Sequence, residues 1–199
     1  KIIGGLRFYE RKEIKDIIAY LRLINNSADN LAFERIINTP RRGIGKITLS
    51  KISNIARLKN LSMFEAAKEF IQLTESKINN EIFKFVQNVL KWQKVKDKFH
   101  HIELAQAIIE DTKYIDYLEQ EEKNSKHPEN LNRLDKIKEF MESLKDFENL
   151  EGFLEHVSLV MENIATTDQT ITLMTMHAAK GLEFDYIFLA GWEEGVFPS

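Results

Sequence analysis

Apolar residues recur through the middle of the chain at the period of a helix face. Ile14, Ile17, Ile18, Leu21 and Ile24 follow the i, i+3, i+4, i+7 stripe, with Lys12, Glu13, Lys15 and Asp16 between them, and predict an amphipathic helix. Ser62 followed by Glu65 reads as a capping box ahead of Phe64, Ala67, Phe70 and Ile71, so a further helix is predicted to start there. Ile78, Ile82, Phe85, Val89 and Trp92 step by four and three residues, predicting one long helix over roughly residues 76 to 97 with Trp92 as a core anchor. Stripes at Ile102, Ala105, Ile108 and Ile109, at Leu131, Leu134, Ile137, Met141 and Leu144, and at Leu150, Leu154, Val157, Met161 and Ile164 predict three more helices. Between Tyr117 and Pro128 the period lapses into Glu119, Glu121, Glu122, Lys123, Asn124 and Ser125, which reads as a charged, solvated loop.

At both ends the period changes. Ile2-Ile3-Gly4-Gly5, Ile171 to Met176 and Tyr186 to Ala190 read as short strands, because apolar residues run together there and glycines bound them. Strands at the termini around a helical middle suggest a helical domain inserted into another fold. Lys1 in place of Met, and an end just past Phe197-Pro198, suggest a piece of a longer protein.

Composition narrows the function classes without choosing among them. The 199 residues are 43% hydrophobic and 30% charged, as in ordinary globular chains, and a net charge of −3 gives no general attraction to polyanions. Any nucleic-acid contact therefore has to be a local patch. There is no cysteine for disulfides or thiolate metal sites. His100, His101, His127, His156 and His177 lack the spacing of metal ligands, so no metal site is predicted. With no signal peptide and no apolar run of about 20 residues, a cytoplasmic protein without membrane contact is expected.

The first local patch is Asn38-Thr39-Pro40-Arg41-Arg42-Gly43-Ile44-Gly45-Lys46-Ile47-Thr48-Leu49. Pro40 and the two glycines interrupt a helical pattern that ends near Ile37 and resumes at Ile47, Ile52, Ile55 and Leu58, which predicts helix, hairpin, helix. Gly43 and Gly45 permit positive φ and close approach of backbone N–H groups to a phosphate, with the following helix dipole aimed at the same anion. Arg41, Arg42, Lys46 and Lys51 are basic, and no acid lies between Ile36 and Lys51. The residues alone allow two readings, a sequence-independent grip on a phosphate backbone or a turn with surface arginines. A nucleotide-binding P-loop is excluded. Pro40 stands where a Walker A loop needs glycine, Ile47 stands where it needs Ser or Thr, and no Walker B strand is present.

The second patch is Thr172 to Ser199, TLMTMHAAKGLEFDYIFLAGWEEGVFPS. Its His177-Ala-Ala-Lys180-Gly181-Leu-Glu183-Phe turn resembles motif V of the UvrD/PcrA/Rep group of superfamily 1 DNA helicases. Gly4-Gly5-Leu6-Arg7-Phe8-Tyr9-Glu10-Arg11-Lys12-Glu13-Ile14-Lys15-Asp16 resembles the stretch through which the same helicases cross from RecA-like domain 2A into helical domain 2B. The likeness continues through Tyr20 to Ile24 and Ala32 to Arg35, and so runs the length of the chain. It implies a mainly α fold: the end of 2A over residues 1–9, domain 2B over 10–166, and a return into 2A over 167–199.

For function, the resemblance implies a part of an ATP-dependent 3′ to 5′ DNA helicase acting in repair or replication. Thr39, Arg41, Arg42, Gly43, Ile44, Gly45, Lys46 and Thr48 would form the GIG element that holds duplex DNA. Thr175, His177 and Lys180 would lie along single-stranded DNA, and Gly181 and Glu183 would face the nucleotide, Glu183 toward the ribose hydroxyls. Trp192 stands where the family has Met, leaving its role open. ATP and Mg²⁺ would serve the parent enzyme, with Walker A, Walker B and motif VI supplied by its other domains. No catalytic residue is expected in this chain, which alone would be inactive. Expected partners are duplex and single-stranded DNA, the remaining helicase domains (1A, 1B and the rest of 2A) and repair proteins. Arg7, Arg11 and Glu13 would belong to a hinge between 2A and 2B. The alternatives are a regulatory or protein-docking module with little DNA binding, and a helix-hairpin-helix repair enzyme, against which no catalytic Lys or Asp follows the hairpin.

Overall fold

The computed structural model describes residues 8–73, 77–124, 132–164, 174–175 and 179–189. Contacts divide the chain into two compact units, Lys1–Ile164 and Ala165–Ser199. Among the described residues the first unit holds nine α-helices: α1 (Lys12–Asn25), α2 (Asn30–Ile36), α3 (Lys46–Lys59), α4 (Met63–Leu73), α5 (Lys77–Val95), α6 (His101–Asp111), α7 (Tyr114–Asn124), α8 (Arg133–Ser143) and α9 (Leu150–Ile164). A 3-10 turn, Leu144–Asp146, follows α8. The described part is mainly helical, and none of its helices is long and apolar enough to cross a membrane.

α1 is the axis of the bundle. It touches α2, α5, α6, α8 and α9, and its whole predicted stripe from Ile14 to Ile24 is buried. Two residues assigned to its polar face are buried as well, Glu13 and Asp16. Each has a cation to offset the cost of leaving water. Asp16 accepts from Tyr114 Oη at 2.8 Å and meets Arg35 Nε at 2.8 Å, while Glu13 sits between Arg11 and Arg133 at 4.0 and 3.9 Å. Burial raises the Asp16 carboxyl above its ordinary pKa, with Tyr114 and Arg35 acting in the opposite direction.

The long helix of residues 77–95 forms as its spacing predicts. It buries Ile82, Phe85, Val89 and Trp92, whose indole N–H donates to Asp111 at 2.9 Å. Ser62 Oγ accepts from the Glu65 backbone N–H at 3.2 Å at the start of α4, and the Glu65 carboxylate meets Lys68. On α6 the innermost residues are Leu104, Ala105, Ile108 and Ile109, with Ile102 only packed against them.

The predicted loop after Tyr117 is a helix through Asn124. Its inward line is Tyr114, Leu118 and Glu121, at i, i+4 and i+7, so the third position of the stripe is a carboxylate rather than an apolar group. Tyr114 and Leu118 are buried, and Glu121 accepts from Lys12 Nζ at 2.8 Å and from Arg133 Nη1 at 3.1 Å. Burial acts to raise the Glu121 carboxyl, but Lys12, Tyr117 and Arg133 together hold it below its ordinary pKa.

The predicted strands at Ile2–Gly5 and at 171–173 and 176 lie outside the described residues. Met174, Thr175 and residues 186–189 are described, and none of them is in a strand. Tyr186, Ile187, Phe188 and Leu189 are exposed, Phe188 by 95%. A strand needs a hydrogen-bonded neighbour, and no ladder forms here among the described residues. In this unit the Ala179 N–H donates to the Thr175 carbonyl and the Leu182 N–H to the Ala179 carbonyl, both at 3.1 Å.

Candidate nucleic-acid interface

α2 and α3 are joined by the hairpin that the sequence singles out, and it is held from within by two side chains. Asn38 Oδ1 accepts from the backbone N–H of Arg42 at 2.8 Å and of Ile44 at 3.1 Å, closing the loop on one oxygen. Arg42 turns inward. Its Nη1 lies 2.9, 3.1 and 3.2 Å from the carbonyls of Ile36, Ile37 and Pro40, and its Nη2 donates to Tyr20 Oη at 2.7 Å. The guanidinium also stands over the Phe85 ring at 5.2 Å. Tyr20 in turn donates to the Thr39 carbonyl at 2.6 Å, so α1 and α5 both grip the hairpin. Burial is the leading cause of a raised Tyr20 pKa, which keeps this hydroxyl protonated as a donor.

The predicted site residues therefore separate. Ile44 is buried, Arg42 is committed to internal acceptors, and Thr39 Oγ1 donates back to the Arg35 carbonyl at 3.1 Å. These three shape the hairpin. Arg41, Gly43, Gly45 and Lys46 are exposed, and Thr48 is half-buried beside them. Gly43 has φ +73°, the left-handed conformation that favours glycine. Gly45, expected to share that freedom, is extended at φ −93° and serves as the N-cap of α3. It offers no side chain to cap the helix, so the first-turn N–H groups of α3 open toward solvent or an anion. A Cβ on Gly45 would meet nothing within 4 Å, which leaves the approach clear.

Charge follows the same division. Arg41 is open, its side chain 83% exposed and its Nη2 4.0 Å from Glu121. Lys46 and Lys51 are exposed, whereas Arg35 is paired with Asp16 and Lys59 with Glu69. Asn38, Tyr20 and Glu121 were not among the sequence candidates. Asn before a Pro–Gly turn is a signal for the first. Nothing local announces the other two, which arrive from α1 and α7.

In the second unit Gly181 has φ +83° and turns the chain, with Lys180 and Glu183 exposed on either side. Thr175 accepts through its carbonyl at the base of the turn. His177 lies outside the described residues. For a nucleoside triphosphate, Glu183 can supply one carboxylate acceptor, and Lys180 is the one cation beside it among the described residues of this turn. Among the described residues no cluster of three His, Asp or Glu is placed to hold a metal ion.

A helical bundle that presents a basic, glycine-capped hairpin, followed by a Lys-Gly-Leu-Glu turn, matches one family along its whole length. The chain belongs to the UvrD-like helicase C-terminal domain family, matched over residues 1–199. It is 46% identical over 204 residues to a probable DNA helicase II homolog of Rickettsia conorii, covering 100% of this chain and 31% of that protein. It is 41% identical over 211 residues to the ATP-dependent DNA helicase PcrA of Bacillus subtilis, covering 99% of this chain and 28% of that one. The DNA helicase II of Rickettsia typhi is 43% identical over 204 residues, with 100% and 30% covered. The chain spans just under a third of the length of these relatives.

Proposed function

We propose that this chain is the 2B region and adjoining 2A segments of an ATP-dependent DNA helicase of 3′ to 5′ polarity, and that its hairpin grips the backbone of duplex DNA. The carrying observation is the division within the hairpin. Asn38, Arg42 and Tyr20 fix its shape from inside, leaving Arg41, Lys46 and the uncapped start of α3 facing outward together. Such donors bind phosphate without reading bases. Residues 1–9 and 167–199 would belong to the RecA-like domain, where residues 186–189 find their ladder partners. Thr175, His177 and Lys180 would follow the single strand, and Gly181 and Glu183 would border the nucleotide. The phosphates and Mg²⁺ would be held by domains with Walker motifs, so the chain alone turns over no ATP. Arg11 and Glu13, 4.0 Å apart, would lie at the 2A–2B hinge. The parent enzyme would act in the cytoplasm on DNA under repair or replication.

Fluorescence anisotropy with a short hairpin duplex tests the grip. Affinity should fall steeply with salt, and Arg41→Ala with Lys46→Ala should flatten the log–log slope by about 0.9 for each phosphate no longer neutralised. Binding that ignores both salt and these substitutions would refute it. That result would favour the second reading, a protein-docking module, which the exposed Ile47 and Leu58 on the outer face of α3 support.

A further inference from the structure

Beside the hairpin lies an open groove of about 860 Å³ between Pro40–Arg41, α1 and the α6–α7 corner. Lys12, Arg41, Lys113 and Arg133 line it against two carboxylates, Asp116 and Glu121, a local positive excess in a chain of net charge −3. Glu121 already bridges Lys12 and Arg133 in the wall of the groove. Lys113 differs from them: it is exposed, and among the described residues its side chain makes no hydrogen bond or ion pair.

Its backbone is unusual too. Lys113 follows the C-cap Thr112 of α6 at φ +53°, the left-handed position that closes a helix and that glycine ordinarily takes. A lysine there carries a conformational cost that helix closure does not require. An unpaired cation, held at a strained corner and facing a cationic groove that begins at Arg41, is accounted for by an anionic ligand in the groove.

The geometry points to this groove as a second contact for the DNA backbone, running from Arg41 to Lys113 and extending the grip of the hairpin. The inference rests on the duplex-binding reading and assigns α7 a part in it. Asp116 opposes the charge of the groove, so neutralising it should act in the opposite direction to removing Lys113.

The 199-residue chain with a hairpin duplex, followed by anisotropy across a salt series, provides the test. Lys113→Gly removes the charge and also relieves the positive φ, so its unfolding midpoint should stay level or rise while duplex affinity falls several-fold at low salt. The salt slope should drop by about 0.9. Asp116→Asn should bind more tightly, and Lys84→Ala, an equal charge change on α5 away from the groove, should bind as the parent sequence does. Wild-type affinity and slope in Lys113→Gly, with Arg41→Ala still weakened, would overturn the groove contact and leave the hairpin grip standing. An equal loss in Lys84→Ala would also overturn it, as an effect of net charge alone. No loss in Arg41→Ala with Lys46→Ala would remove the duplex reading itself.

Discussion

Arg41 and Arg42 are adjacent in sequence and opposite in role, and alanine substitutions should separate them. Arg42 has two kinds of partner to lose. Its Nη1 is shared among the carbonyls of Ile36, Ile37 and Pro40, and its Nη2 donates to Tyr20. Ile36 and Ile37 end α2, where carbonyls have no partner within the helix. Hydrogen bonds from a charged donor contribute roughly 1.5–3 kcal/mol each, and three carbonyls sharing one nitrogen count as little more than one such bond. Stacking on Phe85 adds about 1 kcal/mol. Allowing for overlap between these contributions, Arg42→Ala should cost on the order of 3–4 kcal/mol. With a urea dependence of about 2 kcal/mol per molar, the midpoint should fall by about 1.5–2 M. Arg41 makes one long contact, to Glu121, and is 83% exposed, so Arg41→Ala should stay within about 0.5 kcal/mol of the parent sequence. In the anisotropy assay Arg41→Ala should weaken the proposed hold on phosphate while remaining fully folded. An Arg42→Ala protein with an unchanged urea midpoint, or one no less stable than Arg41→Ala, would refute this division of labour.

Two further substitutions follow from the same geometry. Gly43→Ala should destabilise by about 1 kcal/mol through its positive φ alone, since its new Cβ would sit at an ordinary 3.6 Å from Ile78; Gly45→Ser, extended, facing open space and at the N-cap of α3, should stay level or rise in the same urea titration. Tyr114→Phe removes a donor that favours ionised Asp16. The folded Asp16 pKa is already raised above the unfolded value, so its contribution to stability is fully present below the ordinary Asp range and is lost as pH rises through the folded value. Losing Tyr114 Oη raises the folded value further, so Tyr114→Phe should be more destabilising at pH 7 than at pH 4, and equal losses at the two pH values would contradict it.

How much of this was legible in the sequence depends on what each residue answers to. Helices whose stripe is apolar, such as α5 and α9, could be read from spacing because burial alone sets them. α7 could not, since its inward line ends in Glu121, and only the distant Lys12 and Arg133 make an inward carboxylate tolerable. For the same reason Glu13 and Asp16 looked like solvent-facing residues. Ile47 and Leu58 misled in the other direction: both fit the α3 pattern, yet both are exposed, while Ile52 and Ala56 form its buried side. At the hairpin, composition located the basic patch but could not say which arginine points out. That choice is made by Tyr20 and Phe85, 22 and 43 positions away in the chain.

The internal anchoring of the hairpin has a mechanical consequence. Its tip is tied through Arg42 and Tyr20 to the central helix and through Phe85 to the longest one. A pull applied at Arg41 or Lys46 is therefore borne by the packed interior rather than absorbed by a yielding loop. Held this way, the tip behaves as a tooth set in a solid jaw, and a displacement at its end carries the whole helical body along with it.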